Sequence, residues 1–210
     1  MTESTYISTV KLVLLGESSV GKSTIVTRFT TGEFHINSPT IGAAFSTKAM
    51  EWVDSEDGIK RRVNFEIWDT AGQERYRSLA PMYYRNTDVA LIVFDVTQLA
   101  SEKKAQSWID ELNNYLEDYK KDTVQLRVVG NKIDLVDEET LQNWNDAELV
   151  SAKTGEGIDE LFLKIGKDIP IDKFTLLQED VPQSTSTSNE GGGINLEQSP
   201  EAVSTGNCSC

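Results

Sequence analysis

Apolar and polar positions along the first 170 residues follow two periods, one typical of strands and the other of helices. Near-continuous apolar runs at 10–15, 89–94 and 124–129 are typical of strands covered on both faces, as in a parallel sheet. The segments 44–53 and 62–68 predict a strand pair, because a polar loop ending on a glycine separates them. The pattern predicts a mostly parallel sheet with one antiparallel strand.

Helical spacing occurs between these runs. Residues 22–31 predict a helix directly after the first strand. Two later stripes of apolar side chains recur at helical spacing and are expected in the core: Ala105, Trp108, Ile109, Leu112, Tyr115, Leu116 and Tyr119 in one, and Ile158, Leu161, Phe162, Ile165 and Ile169 in the other. Strands that alternate with helices are typical of a doubly wound α/β fold.

Composition divides the chain into one domain and a tail. We expect a flexible N-terminus at 1–8, a folded domain at 9–170 and a disordered tail at 171–207, followed by the terminal residues 208–210. The stretch 183–189 is rich in Ser and Thr, a triple glycine follows, and no Lys or Arg occurs from residue 174 onward. This composition is typical of a tether that buries no core.

Charge and cysteine content exclude several classes of protein. A formal charge of −14 argues against a nucleic-acid binder, which needs a basic face, but allows a pocket for one nucleotide, which uses backbone N–H groups. No apolar run reaches the roughly 20 residues of a membrane span, and the chain start lacks a signal-peptide pattern. The two cysteines, Cys208 and Cys210, cannot cross-link a core, which favours a reducing, cytoplasmic compartment.

The loop after the first predicted strand carries a phosphate-binding motif. Residues 16–23 read GESSVGKS, a GxxxxGKS pattern between a strand and a helix. In such a loop, backbone N–H groups and the helix N-terminus face phosphate oxygens, the lysine reaches the β- and γ-phosphates, and the last hydroxyl binds Mg²⁺. The motif assigns nucleotide contacts to Ser19, Val20, Gly21, Lys22, Ser23 and Thr24, with Ser23 also a metal ligand.

A second motif, Asn131-Lys132-Ile133-Asp134, follows a predicted strand and indicates guanine. Asp134 can accept hydrogen bonds from the N1–H and the exocyclic amine of guanine, a donor pair that adenine lacks. Asn131 is expected to brace the pocket, and the Lys132 stem to cover one face of the base. Outside a chain with a phosphate loop, the same residues would be an ordinary polar loop.

The sequence DTAGQ, which begins at Asp69, supplies candidates for hydrolysis. Asp69 follows an apolar strand and can hold magnesium through water, the Gly72 N–H can contact the γ-phosphate, and Gln73 can orient the attacking water. Thr40 is a candidate metal ligand when a γ-phosphate is present, although alone it is an ordinary loop threonine. The residues assigned to catalysis are Gln73, Lys22 and Gly72.

Together these motifs resemble those of the Rab GTPases. The resemblance includes IGAAF at 41–45, WDTAGQERY at 68–76 and LAPMYYR at 79–85, and it is greatest for the fungal early-endosomal branch. It covers residues 10–170 and the last three positions. It implies a Ras-like P-loop fold and slow hydrolysis of GTP to GDP with Mg²⁺. It also implies two nucleotide-dependent segments, switch I (35–45) and switch II (70–84).

The resemblance implies an effector surface made by Ile41, Phe45, Trp68 and Tyr83. Exposed aromatic side chains beside a switch are good interface anchors, and plain core packing is the alternative for the three rings. The partners implied are a guanine-nucleotide exchange factor, a GTPase-activating protein, a GDP-dissociation inhibitor, a prenylation escort and effector tethers in vesicle traffic.

Two further nucleotide contacts are implied by the resemblance. Phe34 matches the ring that lies against the guanine edge. The loop Ser151, Ala152 and Lys153 matches the last guanine motif, in which a backbone N–H contacts the base oxygen.

The chain departs from the Rab pattern just before that loop. Only residues 135–150 separate Asp134 from Ser151, where the family has a full helix and a strand. Residues 137–144 can form about two helical turns, and 147–150 a short strand at the sheet edge. This shortened segment puts nucleotide affinity in doubt.

The ending Cys208-Ser209-Cys210 resembles the Rab ending that accepts two geranylgeranyl groups. One lipid chain binds a membrane only marginally, and no Lys or Arg from residue 174 onward could assist it, so two lipids are required. We therefore expect a cytoplasmic protein that cycles onto endosomal membranes. A redox or metal-binding cysteine pair is the alternative, although no other ligand residue lies nearby.

Three other functions compete with a Rab switch. A P-loop small-molecule kinase would share the phosphate loop, but it would need a substrate site and a basic lid. A GTP-binding pseudo-GTPase with weakened affinity is consistent with the shortened segment. A Ras-like signalling switch would share the guanine motifs, but the terminal Cys-Ser-Cys and the aromatic set argue against it.

Overall fold

The computed structural model describes residues 4–117 and 124–177, whose strands form one mixed sheet. The strands are β1 (Thr5–Leu15), β2 (Ala43–Val53), β3 (Lys60–Thr70), β4 (Val89–Asp95), β5 (Gln125–Asn131), β6 (Glu148–Val150) and β7 (Thr175–Leu176). Their order is β2-β3-β1-β4-β5-β6, with β7 beside the start of β1. β3, β1, β4, β5 and β6 are parallel, and β2 runs antiparallel to β3. The predicted α/β fold and its antiparallel strand are confirmed.

Helices cover both faces of the sheet. They are α1 (Lys22–Thr31), α2 (Ala80–Tyr84), α3 (Leu99–Glu117), α4 (Glu138–Leu141) and α5 (Ile158–Lys167). Side chains of α1 and α5 share one core cluster, in which the rings of Phe29 and Phe162 stack 3.6 Å apart. Side chains of α2 and α3 form the second cluster with Trp144. Both predicted apolar stripes contribute to these cores, and Tyr119 lies outside the described residues.

Both predicted ends of the domain were wrong. β1 begins at Thr5 and not at residue 9, because residues from Thr5 onward pair with β3. At the other end, the chain past 170 forms a 3-10 turn at Ile171–Lys173 and then β7, which pairs antiparallel with β1. The compact unit extends to Leu177, seven residues beyond the expected end of the domain. Two-residue pairing of this kind depends on a distant partner, and therefore leaves no periodicity in the sequence.

The shortened segment has the expected structure. α4 has 4 residues, a 3-10 turn follows at Gln142–Trp144, and β6 has 3 residues at the sheet edge. The Asp137 side chain caps α4 by accepting from the Thr140 N–H at 2.9 Å. Trp144 is buried, with its ring 5.0 Å from the ring of Phe94, so packing supports this segment more than its short helix does.

The second unit, Gln178–Cys210, lies outside the described residues. The rest of the expected tail and the two lipidation positions, Cys208 and Cys210, fall there and stay predictions. Among the described residues, no helix is both long enough and apolar enough to cross a membrane.

Candidate functional site

A cleft of about 620 Å³ lies where the parallel strands end, at the loops that follow β1, β3, β5 and β6. Ligands of open α/β sheets bind at this edge. Most of the nucleotide-site residues predicted from the sequence line it: Ser19, Gly21, Lys22, Ser23, Thr24, Phe34, Thr40, Gly72, Gln73, Asn131, Lys132, Asp134, Ala152 and Lys153. Two do not. The Val20 side chain is buried in the core, and Ser151 is fully buried.

Lys22 presents a buried cation to this cleft. Its ammonium donates to the carbonyl oxygens of Gly16 and Glu17, each at 2.7 Å, and the residue is only 5% exposed. Burial lowers the pKa of Lys22 from 10.5 to about 8, although Asp69 and Glu17 favour the charged form. Both of these acceptors are neutral carbonyls, so an incoming phosphate would supply an anionic partner for the ammonium.

At two glycines the neighbouring chain approaches so closely that any side chain would clash. Gly21 has a φ of +99°, and a Cβ there would lie 2.2 Å from the Asn131 amide nitrogen. A Cβ on Gly72 would lie 2.3–2.4 Å from backbone atoms of Glu17 and Ser18. The start of switch II therefore packs directly against the phosphate loop, where its N–H can reach a phosphate.

The three predicted metal ligands lie together. The Ser23 hydroxyl donates to Asp69 Oδ2 at 2.5 Å and lies 2.9 Å from the Thr40 hydroxyl, which donates to the same carboxylate oxygen at 3.2 Å. The other oxygen, Asp69 Oδ1, is buried without a hydrogen-bond partner. Burial raises the pKa of Asp69, against the opposing effects of Ser23, Lys22 and Thr40.

This arrangement fits Mg²⁺, which prefers oxygen ligands and keeps several waters. The described residues contain no group of three or more His, Cys, Asp or Glu side chains that could hold a metal. A cation here would therefore rely on hydroxyls, one carboxylate and the oxygens of a bound phosphate.

Gln73 follows Gly72 in the cleft lining and has an arginine partner. Its side-chain oxygen accepts a hydrogen bond from Nε of Arg75 at 2.6 Å. The Arg75 guanidinium in turn lies 5.3 Å from the ring centre of Tyr76. The Gln73 amide nitrogen carries the donors that could orient a water molecule.

The opposite end of the cleft presents a second carboxylate with a buried oxygen. Asp134 Oδ1 accepts from the Ser151 hydroxyl at 2.7 Å. Asp134 Oδ2 is buried without a hydrogen-bond partner and lies 3.4 Å from Nζ of Lys153. A buried acceptor without a donor is costly, and the paired N–H donors of guanine would satisfy it.

Asn131 connects three loops of the site. Its amide nitrogen donates to the Val20 carbonyl at 2.8 Å, and its side-chain oxygen accepts from the Ala152 N–H at 3.1 Å. The amide thus joins the phosphate loop to the loop after β6, and its role in bracing a bound nucleotide stays a prediction. The contact between a backbone N–H of that loop and the base oxygen stays a prediction.

Sequence reasoning missed two charged residues of the site. Asp95, at the end of β4, accepts from the Lys132 ammonium at 2.6 Å, and Lys132 also donates to the Ser19 carbonyl at 2.8 Å. Burial opposes ionisation of Asp95, but hydrogen bonds from Lys132 and Thr97 leave its pKa below the ordinary value. The register of β4 and β5 sets Asp95 beside Asn131, a signal that strand pairing could have supplied.

The second missed residue is Arg28 in α1. Its Nε donates to the Ala152 carbonyl at 2.9 Å, and its Nη2 donates to the Lys153 carbonyl. These partners lie more than a hundred residues along the chain from Arg28. No motif or periodicity indicates such a contact.

The three predicted effector rings form one cluster beside the switches. Phe45 and Trp68 have ring centres 5.2 Å apart, and Trp68 and Tyr83 have centres 5.7 Å apart. Phe45 is 53% exposed and the neighbouring Ile41 is 78% exposed, so neither is a core residue. Phe34, which lines the cleft, is also exposed, as a ring that covers a ligand would be.

Comparisons with known proteins agree with this geometry. The family model described as the Ras family matches residues 11–171. The GTP-binding protein ypt5 of Schizosaccharomyces pombe is 42% identical over 213 residues, which cover 95% of this chain and 93% of the relative. Two Saccharomyces cerevisiae proteins, GTP-binding proteins YPT53 and YPT52, are each 42% identical over 219 residues. These cover 96% of this chain and 95% of YPT53, and 88% of this chain and 90% of YPT52.

The family match runs from within β1 to just past α5, and so includes the loops that line the cleft. The relatives match along nearly their entire length and carry GTP binding in their names. The chain therefore belongs to the Ras family of GTP-hydrolysing proteins, as a Rab of the fungal early-endosomal branch.

Proposed function

We propose that the chain alternates between GDP-bound and GTP-bound states to recruit effectors in vesicle tethering and endosomal membrane traffic. One observation carries the proposal: the carboxylates of Asp69 and Asp134 each keep one buried oxygen without a hydrogen-bond partner, at a site that also contains the buried Lys22 ammonium. One such oxygen suits a hydrated cation beside a phosphate, and the other suits guanine. A guanine nucleotide with Mg²⁺ satisfies both.

Binding uses residues from both ends of the cleft. Asp134 accepts from the guanine donors, the Lys132 stem covers one face of the base, and Phe34 lies at its edge. Lys22 and the backbone N–H groups of residues 19–24 bind the phosphates. An adenine nucleotide would leave Asp134 Oδ2 without a hydrogen-bond donor, so the site should prefer guanine nucleotides.

In hydrolysis, Gln73 orients water for in-line attack on the γ-phosphate, while the Gly72 N–H contacts that phosphate. Lys22 offsets the charge that develops on the phosphate oxygens. Ser23, Thr40 and Asp69 would hold Mg²⁺, which when bound neutralises phosphate charge.

Hydrolysis by the chain alone is slow. In Ras, intrinsic turnover is on the order of 10⁻⁴ s⁻¹ and rises about 10⁵-fold when a partner inserts an arginine. No arginine is found among the described residues that line the cleft. An activating protein would therefore supply it, and the Gln73–Arg75 contact would open to release Gln73.

Membrane attachment is proposed through geranylgeranyl groups on Cys208 and Cys210. Residues from 174 onward offer no Lys or Arg that could bind acidic lipids, so a stable anchor takes both chains. The protein would then cycle between the cytoplasm, in complex with a GDP-dissociation inhibitor, and endosomal membranes. On the membrane, an exchange factor would load GTP and effector tethers would bind Ile41 and the aromatic cluster.

The metal site can be tested with Ser23→Asn, since the longer amide displaces the hydroxyl beside Asp69. We expect this variant to lose affinity for GTP more than for GDP in Mg²⁺, and to lose this difference in EDTA. Thr31→Asn makes a similar change at the exposed end of the same helix and serves as the control. If Ser23→Asn binds GTP in Mg²⁺ as tightly as the parent does, Ser23 is not a metal ligand.

A further inference from the structure

The guanidinium of Arg28 joins two elements that contact opposite ends of a bound nucleotide. Arg28 lies in α1, whose first turn contains Lys22 and Ser23. Its Nη1 donates to the carbonyl of Gly32 at 2.6 Å, which fixes the guanidinium against the end of that helix. Its other two nitrogens donate to consecutive carbonyls, those of Ala152 and Lys153.

Those carbonyls belong to the loop that supports the guanine acceptor. Ala152 and Lys153 line the cleft, and the Ser151 hydroxyl donates to Asp134 at 2.7 Å. The Arg28 stem also lies beside the loop, since a Cβ added at Gly155 would be 3.6 Å from Arg28 Cδ. A shift of this loop would therefore move the hydrogen-bond donor that orients Asp134.

The loop has little support from the segment that precedes it. β6 has 3 residues and α4 has 4, so this segment lacks the long helix that could pack on the sheet and hold the loop in place. The loop's other ties are internal, such as the Gly155 N–H to the Ser151 carbonyl at 2.8 Å, or pass through Asn131, or join it to Asp134, the residue that it would position. Arg28 supplies the contacts to α1.

We propose that Arg28 is a positioning residue for guanine recognition. Its planar fork fixes the Ser151–Lys153 loop to the phosphate-binding helix, so that the base and phosphate sites keep one spacing. The inference rests on the guanine-nucleotide function proposed above. A lysine cannot replace Arg28, because a single ammonium does not match two consecutive carbonyls with the same geometry.

The test measures release of fluorescent GDP, and the affinities for GDP and ADP by competition, in the parent and in Arg28→Ala and Arg28→Lys. We expect Arg28→Ala to release GDP about tenfold faster or more, the scale for losing charged hydrogen bonds. The preference for GDP over ADP should fall by a similar factor, while ADP affinity stays unchanged because ADP makes no guanine contact. Arg28→Lys should recover only part of the loss.

The control is Arg61→Ala, which removes a buried arginine that pairs with Asp54 and Asp57 at the other end of β3. It should lower the melting temperature but keep the GDP:ADP preference. If Arg28→Ala does not fold, Arg28→Gln, which keeps some of the stem without the charge, is measured in the same way.

The two proposals fail differently. A parent protein without preference for GDP over ADP would refute the guanine site itself. A parent that prefers GDP, beside Arg28 variants that keep the full preference, would refute only the role of Arg28. Equal losses of GDP and ADP affinity would mark Arg28 as a residue of general stability, and would also overturn the inference.

Discussion

The buried ammonium of Lys22 predicts that nucleotide affinity falls as pH rises above neutrality. Before a nucleotide binds, burial holds the pKa of Lys22 at about 8, compared with 10.5 for an exposed lysine. Bound phosphates raise this pKa again, because an opposite charge favours the ammonium. Binding above pH 8 must therefore include the uptake of a proton, which weakens the apparent affinity.

The size of the effect follows from that pKa. Without nucleotide, Lys22 is protonated in almost all molecules at pH 7, but in only about a quarter of them at pH 8.5. The affinity for GDP should therefore fall about fourfold between these pH values. Isothermal titration in buffers of different ionisation enthalpy would measure both affinity and proton uptake. The range stays below the pH at which guanine itself ionises. Constant affinity without proton uptake would refute the assigned role of Lys22.

Stability of the nucleotide-free protein should change in the opposite direction. The unfolded chain keeps this lysine protonated up to about pH 10.5, while the folded protein loses the proton near 8. Between these values the unfolded state binds more protons, so the contribution of Lys22 to the free energy of unfolding rises with pH. The full cost, about 3 kcal/mol from this difference in pKa, applies below pH 8. Lys22→Met removes this titration. The melting temperature of the parent, measured relative to that of Lys22→Met, should therefore rise with pH.

Three further predictions concern separate parts of the account. Gln73→Leu should keep GTP binding but resist stimulation by an activating protein in a phosphate-release assay, and unchanged stimulation would contradict the role of Gln73. Trp144→Ala should lower the free energy of unfolding, measured in denaturant, by about 3–5 kcal/mol and speed GDP release, since it leaves a cavity under the shortened segment. Leu141→Ala, at a half-buried position, is the milder control. Unaltered GDP release from Trp144→Ala would show that this segment does not support the guanine pocket. Replacing Cys208 and Cys210 with Ser should make the protein wholly soluble in cell fractionation, and persistent membrane association would indicate a protein receptor in place of lipids.

Local patterns were enough to predict the sheet and the cleft. The apolar runs predicted β1, β4 and β5 because a strand covered on both faces must be apolar along its length. The loop ending at Ser23 and the motif ending at Asp134 carry their chemistry in a few consecutive residues. Parallel strands then bring such loops to one edge of the sheet, where the structure has them.

What the sequence could not predict depends on contacts between distant residues. β7 pairs with β1 through two residues, and β1 pairs with β3 from Thr5 onward. Arg28 contacts backbone carbonyl oxygens, which every residue supplies, so the partner loop contains no complementary charge to recognise. Short pairings and contacts to backbone atoms leave no periodic signal, although both determine where the domain ends and how its guanine loop is supported.

The central claim is that this cleft holds a guanine nucleotide, and the nucleotide that accompanies the protein tests it most directly. The protein would be purified without added nucleotide, denatured, and its released small molecules identified by mass spectrometry. We expect GDP in near-stoichiometric amount from the parent, and a clear loss of GDP from Asp134→Ala, which removes the guanine acceptor. Bound ADP or ATP in place of guanine nucleotides would contradict the account.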